Sequence, residues 1–106
     1  MRIISGKHRG LKLSEFAGGE IRPTADRVKE SLFNIIAPDI AGAYVLDLFA
    51  GSGSLGIECL SRGAEYVIFN DVSKDSIKVL KSNLSKLRDC ENYGVYNLDF
   101  AQCLCR

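Results

Sequence analysis

Ala43 to Gly56 reads A-Y-V-L-D-L-F-A-G-S-G-S-L-G, an apolar run that passes into closely spaced glycines and then into a helical pattern. Tyr44 to Phe49 has the length and composition of a buried strand, and Gly51, Gly53 and Gly56 are spaced as in a turn that brings backbone close to a nucleotide. Glycine leaves room for such an approach and tolerates the backbone angles it needs. In a chain with ten glycines, a tight turn without a ligand would also produce this spacing. Asp47 adds discriminating chemistry. Its carboxylate, near the strand end and four residues before Gly51, would look into the crevice above the sheet. There it would repel the pyrophosphate of a dinucleotide. S-adenosylmethionine carries no phosphate, and its ammonium and cationic sulfur would be attracted, directly or through a water.

Working outward, 106 residues with 46% hydrophobic and 25% charged side chains and a net charge of +1 describe one small globular domain. No apolar run is long enough to span a bilayer, and Met1 to Ser5 lacks the apolar core of a secretion signal, so no membrane partner and a cytoplasmic location are expected. Cys59 falls on the apolar side of a helical pattern. Cys103 and Cys105 are too close for ordinary disulfide geometry and lack the two-residue gap of many zinc sites. Together with Cys90 they are expected to be free thiols, with no metal site.

The charge is unevenly spread. Residues 1–30 hold seven Lys or Arg against four Asp or Glu, net +3, whereas residues 31–106 are net −2. Arg2, Lys7, Arg9 and Lys12, with the single histidine His8, precede the first acid. Ile3, Ile4, Leu11 and Leu13 flank Gly6 to Gly10, which predicts two short strands joined by a glycine-bounded turn. A basic hairpin of this kind either grips nucleic-acid phosphates or is simply a solvated surface. A polar loop follows, which divides the chain into a hairpin and loop over 1–21 and the remainder over 22–106. Pro23 and Thr24 start a helix over about Ala25–Ala37, which Pro38 helps to end. Val28, Leu32, Ile35 and Ile36 would be its buried side. Arg22, Arg27 and Lys29 are then a solvated face, a wall of the crevice or an RNA-backbone contact.

Beyond the glycine turn, a helix over Ser54–Arg62 should bury Leu55, Cys59 and Leu60, with Gly63 closing it. Tyr66 to Asn70 reads as a second strand ending in Asp71, twenty residues past Gly51, where a carboxylate can accept from both ribose hydroxyls of an adenosyl cofactor. Ser73 caps an amphipathic helix lined by Ile77, Leu80, Leu84 and Leu87, with Lys74, Lys78, Lys81 and Lys86 on its solvated faces. A third strand, about Gly94–Leu98, delivers Asp99 and Phe100, and a helix begins near Ala101. Asp99 would accept from an adenine amino group with Phe100 on the ring, or would serve as an ordinary helix cap. The element order implies an α/β fold of about three parallel strands with Asp47, Asp71 and Asp99 together at their carboxyl ends.

Three stretches carry a family resemblance across nearly all of the chain: R-I-I-S-G-K-H-R-G at Arg2 to Gly10, R-P-T-A-D-R-V-K-E-S-L-F-N at Arg22 to Asn34, and L-D-L-F-A-G-S-G-S-L-G-I-E at Leu46 to Glu58. The sequence resembles the RsmD-type bacterial methyltransferases, Rossmann-like enzymes that modify the exocyclic N2 of a guanine in small-subunit ribosomal RNA. The resemblance implies the first half of a Rossmann-like methyltransferase sheet behind an amino-terminal hairpin. It implies S-adenosylmethionine as cofactor: Asp47, Phe49, Ala50, Gly51, Ser52, Gly53 and Gly56 around the methionine part, Asp71 and Val72 at the ribose, Asp99 and Phe100 at the adenine. Arg2, Lys7, His8, Arg9, Lys12, Arg22 and Arg27 would meet the partner, small-subunit RNA or an immature 30S particle.

One departure limits the resemblance. Relatives that methylate an exocyclic amine carry Asn or Asp, two prolines and an aromatic residue after a fourth strand, whereas the only prolines here are Pro23 and Pro38. That motif positions a weakly nucleophilic amine, so its absence removes the expected catalytic group and no catalytic residue can be named. The chain is therefore expected to be the amino-terminal, cofactor-binding part of a truncated enzyme, or a non-catalytic cofactor- or RNA-binding module. The open edge of its first strand would invite self-association.

Overall fold

The computed structural model describes residues 2–14, 23–88 and 90–104, with side chains except at 23–26, 100 and 103. Seven elements follow one another: α1 (Pro23–Ile40), β1 (Tyr44–Asp47), α2 (Ser54–Ser61), β2 (Tyr66–Asn70), α3 (Lys74–Leu84), β3 (Tyr93–Tyr96) and α4 (Phe100–Leu104). The strands form one parallel sheet in the order β1-β2-β3, with Tyr44 opposite Tyr66 and Val67 opposite Tyr93. Parallel strands require crossovers, which α2 and α3 supply, and the α/β expectation holds. The first strand ends at Asp47, two residues earlier than its apolar run suggests, and the third occupies Tyr93–Tyr96, offset from Gly94–Leu98.

Period-two alternation sorts the sheet into two unlike faces. Val67 and Phe69 are fully buried among Ile57, Leu60, Ile77, Leu80 and Leu84 from α2 and α3. On the opposite face Tyr44 is 80% exposed and Leu46 47%, so β1 is not the buried strand that its composition predicts. Among the described residues nothing covers that face of β1. Leu55, expected inside, is likewise exposed, whereas Cys59 and Leu60 are buried as expected. Cys59 and Cys90 carry free thiols, and burial pushes the Cys59 thiol up to about 11, which keeps it protonated at neutral pH.

Two features of α1 depart from expectation. Pro38 lies inside the helix and does not end it. Proline forfeits its own N–H and its ring crowds the carbonyl one turn back, yet the helix continues for two residues to Ile40, whose side chain is buried. The inward face is also rotated: Lys29, Phe33 and Ile40 are buried, while Val28, Leu32 and Ile35 are exposed. A charged side chain occupies the core side because it has a partner there. The Lys29 ammonium lies 3.1 Å from the carboxylate of Glu58, which is itself fully buried. Arg62 stands 2.9 Å from the same carboxylate, and its guanidinium lies 4.8 Å above the Phe33 ring.

The amino-terminal hairpin is shorter than two strands. It consists of one antiparallel bridge, Arg2 with Lys12, closed by Ile3 N–H to Leu11 O (2.9 Å) and Gly10 N–H to Ile3 O (2.8 Å). Its regularity is lost to contacts with α2, which take the amides that a longer ladder would use. The Glu58 carboxylate accepts from the N–H groups of Ile4 (2.8 Å) and Ser5 (3.0 Å), and the Ser61 carbonyl from that of Lys7 (2.8 Å). Ile3 and Leu13 join the same apolar core as α2 and β2.

Candidate functional site

Both the strand ends and the glycine turn are held by side chains that span several elements. Buried Asn70, the last residue of β2, donates to the carbonyls of Leu48 (3.2 Å) and Leu98 (2.9 Å) and accepts from the Leu98 N–H (3.1 Å). One amide thus ties together the segments that follow all three strands. Asp47 closes β1, and Asp71 and Asp99 follow β2 and β3, so all three stand at the carboxyl ends of parallel strands. Asn83, also buried, donates to the carbonyls of Ser14 (2.9 Å) and Ser52 (2.8 Å), fixing the turn and the hairpin's end to α3. Neither asparagine was expected to matter. The available signal was a polar residue closing the apolar run of β2.

The three glycines divide by what surrounds them. Gly53 adopts φ 86° as the cap residue of α2, and a Cβ there would come 2.2 Å from Leu80 Cδ1. A Cβ on Gly56 would come 2.3 Å from Phe69 Cε1, so this residue lets α2 lie close against β2. Gly51 differs: it adopts φ 57°, and a Cβ there would meet nothing within 4 Å. Two glycines serve packing and one faces open space.

Two carboxylates brace this turn. Asp71 Oδ2 accepts from Gly51 N–H (2.9 Å) and Oδ1 from Ser73 N–H (2.9 Å), which among the described residues leaves one acceptor position on each oxygen. Asp47 Oδ2 accepts from Gly56 N–H (3.2 Å), in the first turn of α2, where the cap residue offers no side-chain acceptor. Burial pushes the Asp47 carboxyl above its ordinary value. The Gly56 hydrogen bond opposes this and the negative charge of Asp71 adds to it. Two carboxylates thus share the glycine turn, an arrangement that a cationic group relieves.

The other anticipated residues occupy varied settings. Ala50 is partly buried, and its N–H donates to Asn70 O (2.8 Å); Ser52 is buried. Phe49 and Val72 are exposed at 70% and 67%. Asp99 is exposed, and its Oδ1 accepts from Gln102 N–H (2.8 Å), as a helix cap does. The side chain of Phe100 lies outside the described residues. Among the basic residues, Arg2, Lys7, Arg9, Lys12 and Arg27 are exposed and His8 is half-buried. Arg22 lies outside the described residues. Lys29 is corrected from solvated to buried, its ammonium tied to Glu58 and to the Arg2 carbonyl (3.2 Å).

Comparison with known proteins places these residues in context. A family model described as conserved hypothetical protein 95 matches residues 1–105. The chain is 50% identical over 104 residues to a Bacillus subtilis protein provisionally named rRNA methyltransferase YlbH, covering 98% of this chain and 56% of that one. It is 50% identical over 88 residues to ribosomal RNA small subunit methyltransferase D of Haemophilus influenzae, covering 83% and 46%. A solved Escherichia coli chain, provisionally named methyltransferase yhhF, superposes with a TM-score of 0.85 at 38% identity, over all of this chain and 56% of that one. The chain thus spans about half the length of the curated relatives it matches.

Proposed function

Because the chain belongs to the family described as conserved hypothetical protein 95, we propose that it is the donor-binding part of an S-adenosylmethionine-dependent enzyme that methylates the exocyclic N2 of a guanine in small-subunit ribosomal RNA. The observation that carries this reading is a glycine turn braced by two carboxylates, Asp71 on the open Gly51 and Asp47 on Gly56, in a chain 50% identical over 88 residues to a ribosomal RNA methyltransferase. When bound, the donor supplies a methyl group on a cationic sulfur. Asp47 attracts its ammonium, and the 49–53 turn with Gly56 accommodates the methionine part. The spare acceptor positions of Asp71 take the ribose hydroxyls, with Val72 beside them. Asp99, with Phe100, meets the adenine.

Arg2, Lys7, His8, Arg9, Lys12, Arg22 and Arg27 meet RNA, as naked small-subunit RNA or an immature 30S particle, in the cytoplasm. A second reading, a binding module that performs no chemistry, is favoured by the lack of an Asn/Asp-Pro-Pro-aromatic motif in these residues. Calorimetry with S-adenosylmethionine tests the pocket: Asp71→Ala is expected to weaken binding at least tenfold, and an unchanged affinity would refute the assignment. Transfer of labelled methyl to small-subunit RNA separates the two readings. Transfer by this chain would exclude the module; transfer only by a protein extended to the length of its relatives would assign the chemistry to the added segment.

A further inference from the structure

A surface hollow of about 390 Å³ lies between the hairpin turn and the segment after α3, lined by Lys7, His8, Arg9, Leu11, Lys86 and Arg88. Among its described lining residues four are Lys or Arg and none is acidic. Lys7, Arg9, Lys86 and Arg88 form no ion pair among the described residues, whose two ion pairs both converge on Glu58. Like charges gathered with no carboxylate paired to them among the described residues raise one another's energy, which a bound anion reverses.

The two walls come from distant parts of the chain and are pinned together. His8 Nε2 donates to the Arg88 carbonyl at 3.2 Å, and His8 N–H donates to Ser61 Oγ at 2.9 Å. Lys86 Nζ is occupied by Ser14 Oγ at 2.9 Å and by the Lys12 and Asn83 oxygens at 3.3 Å. Lys86 therefore contributes charge and holds the rim, while Arg88, Lys7 and Arg9 have donors to offer. Arg9 also borders a second hollow, of about 350 Å³, with Arg2, Ile3, Ile4, Gly10 and Glu30. Cations on both sides of one ridge suit an extended polyanion better than a small isolated one.

We propose that the hollow between the hairpin and Arg88 seats a phosphate of the RNA backbone, with Arg88 as the bidentate anchor, so that the RNA footprint extends past the hairpin onto the α3–β3 connection. This rests on the RNA-binding part of the function proposed above. It assigns Lys86 and Arg88, which the sequence offers only as solvated surface or not at all.

The test is equilibrium binding of the chain to a small-subunit ribosomal RNA fragment and to an unrelated RNA of equal length, across a salt series. Arg88→Ala is expected to weaken both by about three- to tenfold and to reduce the slope of log affinity against log salt by about one. Arg88→Lys should recover most of the loss in slope, and Lys78→Ala, exposed on α3 outside the hollow, should change neither quantity. If Arg88→Ala behaves like Lys78→Ala while Lys7→Ala and Arg9→Ala lose affinity, the RNA footprint stops at the hairpin and the seat anchored by Arg88 is refuted, although the RNA reading stands. If the unaltered chain binds S-adenosylmethionine but no RNA, or binds anionic phospholipid vesicles instead, the hollow and the RNA part of the function are both overturned.

Discussion

Gly51 and Gly56 share one short motif, yet they answer to different physical demands. Alanine at 56 would place a methyl group within 2.3 Å of Phe69, so α2 must shift from β2. Gly56→Ala should therefore cost about 1–3 kcal/mol in denaturant unfolding. Alanine at 51 meets open space and bears only the left-handed φ of 57°, about 1–2 kcal/mol, but its methyl group enters the region assigned to the donor. Calorimetry should find the larger loss of donor affinity in Gly51→Ala, and equal losses would show that both glycines act through packing. Asp47 makes a prediction of its own. Its raised carboxyl is partly protonated somewhat above the ordinary 3.8, and a bound ammonium stabilises the ionised form. Binding at a pH just above that ordinary value should then release protons, measured as a buffer-dependent heat, and Asp47→Asn should abolish the release.

At the scale of elements, Glu58 is the junction of the hairpin, α1 and α2. Each of its oxygens accepts one backbone N–H and one cationic group. Burial alone would raise this carboxyl, but the Ile4 N–H, Arg62 and Lys29 together hold it below its ordinary 4.5. Its contribution to stability is thus complete above that unfolded-state value and disappears as pH falls through the lower folded-state one. Glu58→Gln leaves Lys29 buried without a counter-charge and should cost about 3–5 kcal/mol, with a flatter acid limb in a pH series of melting temperatures. This junction also marks where reading the sequence stops. Strand β2 and the cap at Ser73 were legible because apolar runs and capping residues act locally. The inward turn of Lys29 was not, because its cause sits 29 residues away in a side chain on another helix. The same holds for Asn70 and Asn83, whose partners are carbonyl groups that any residue could supply. At the site, the acids at the strand ends could be anticipated from strand order, but the division of the glycines between packing and open space required Phe69 and Leu80.

At the scale of the molecule, the radius of gyration of 13.0 Å equals the roughly 13 Å expected for a domain of this length, so a three-stranded sheet suffices for compaction. It does so with one sheet face uncovered at Tyr44 and Leu46 and one edge of β1 unpaired among the described residues. Such surfaces associate, and sedimentation should detect concentration-dependent oligomers that Leu46→Lys suppresses. A monomer at high concentration would rule out pairing through this strand. The docking of the hairpin has a further consequence, for the order of assembly. Ile4 and Ser5 are secured by Glu58, 54 and 53 residues later, and His8 by Arg88, 80 residues later. During synthesis this segment must therefore wait for partners made 53 to 80 residues later, and closing such long loops places its contacts late on the folding path. Ile3→Val should accordingly hasten unfolding and leave the folding rate nearly unchanged. An equal slowing of folding would mean that the hairpin docks early. A segment made before its partners is the one whose place is decided last.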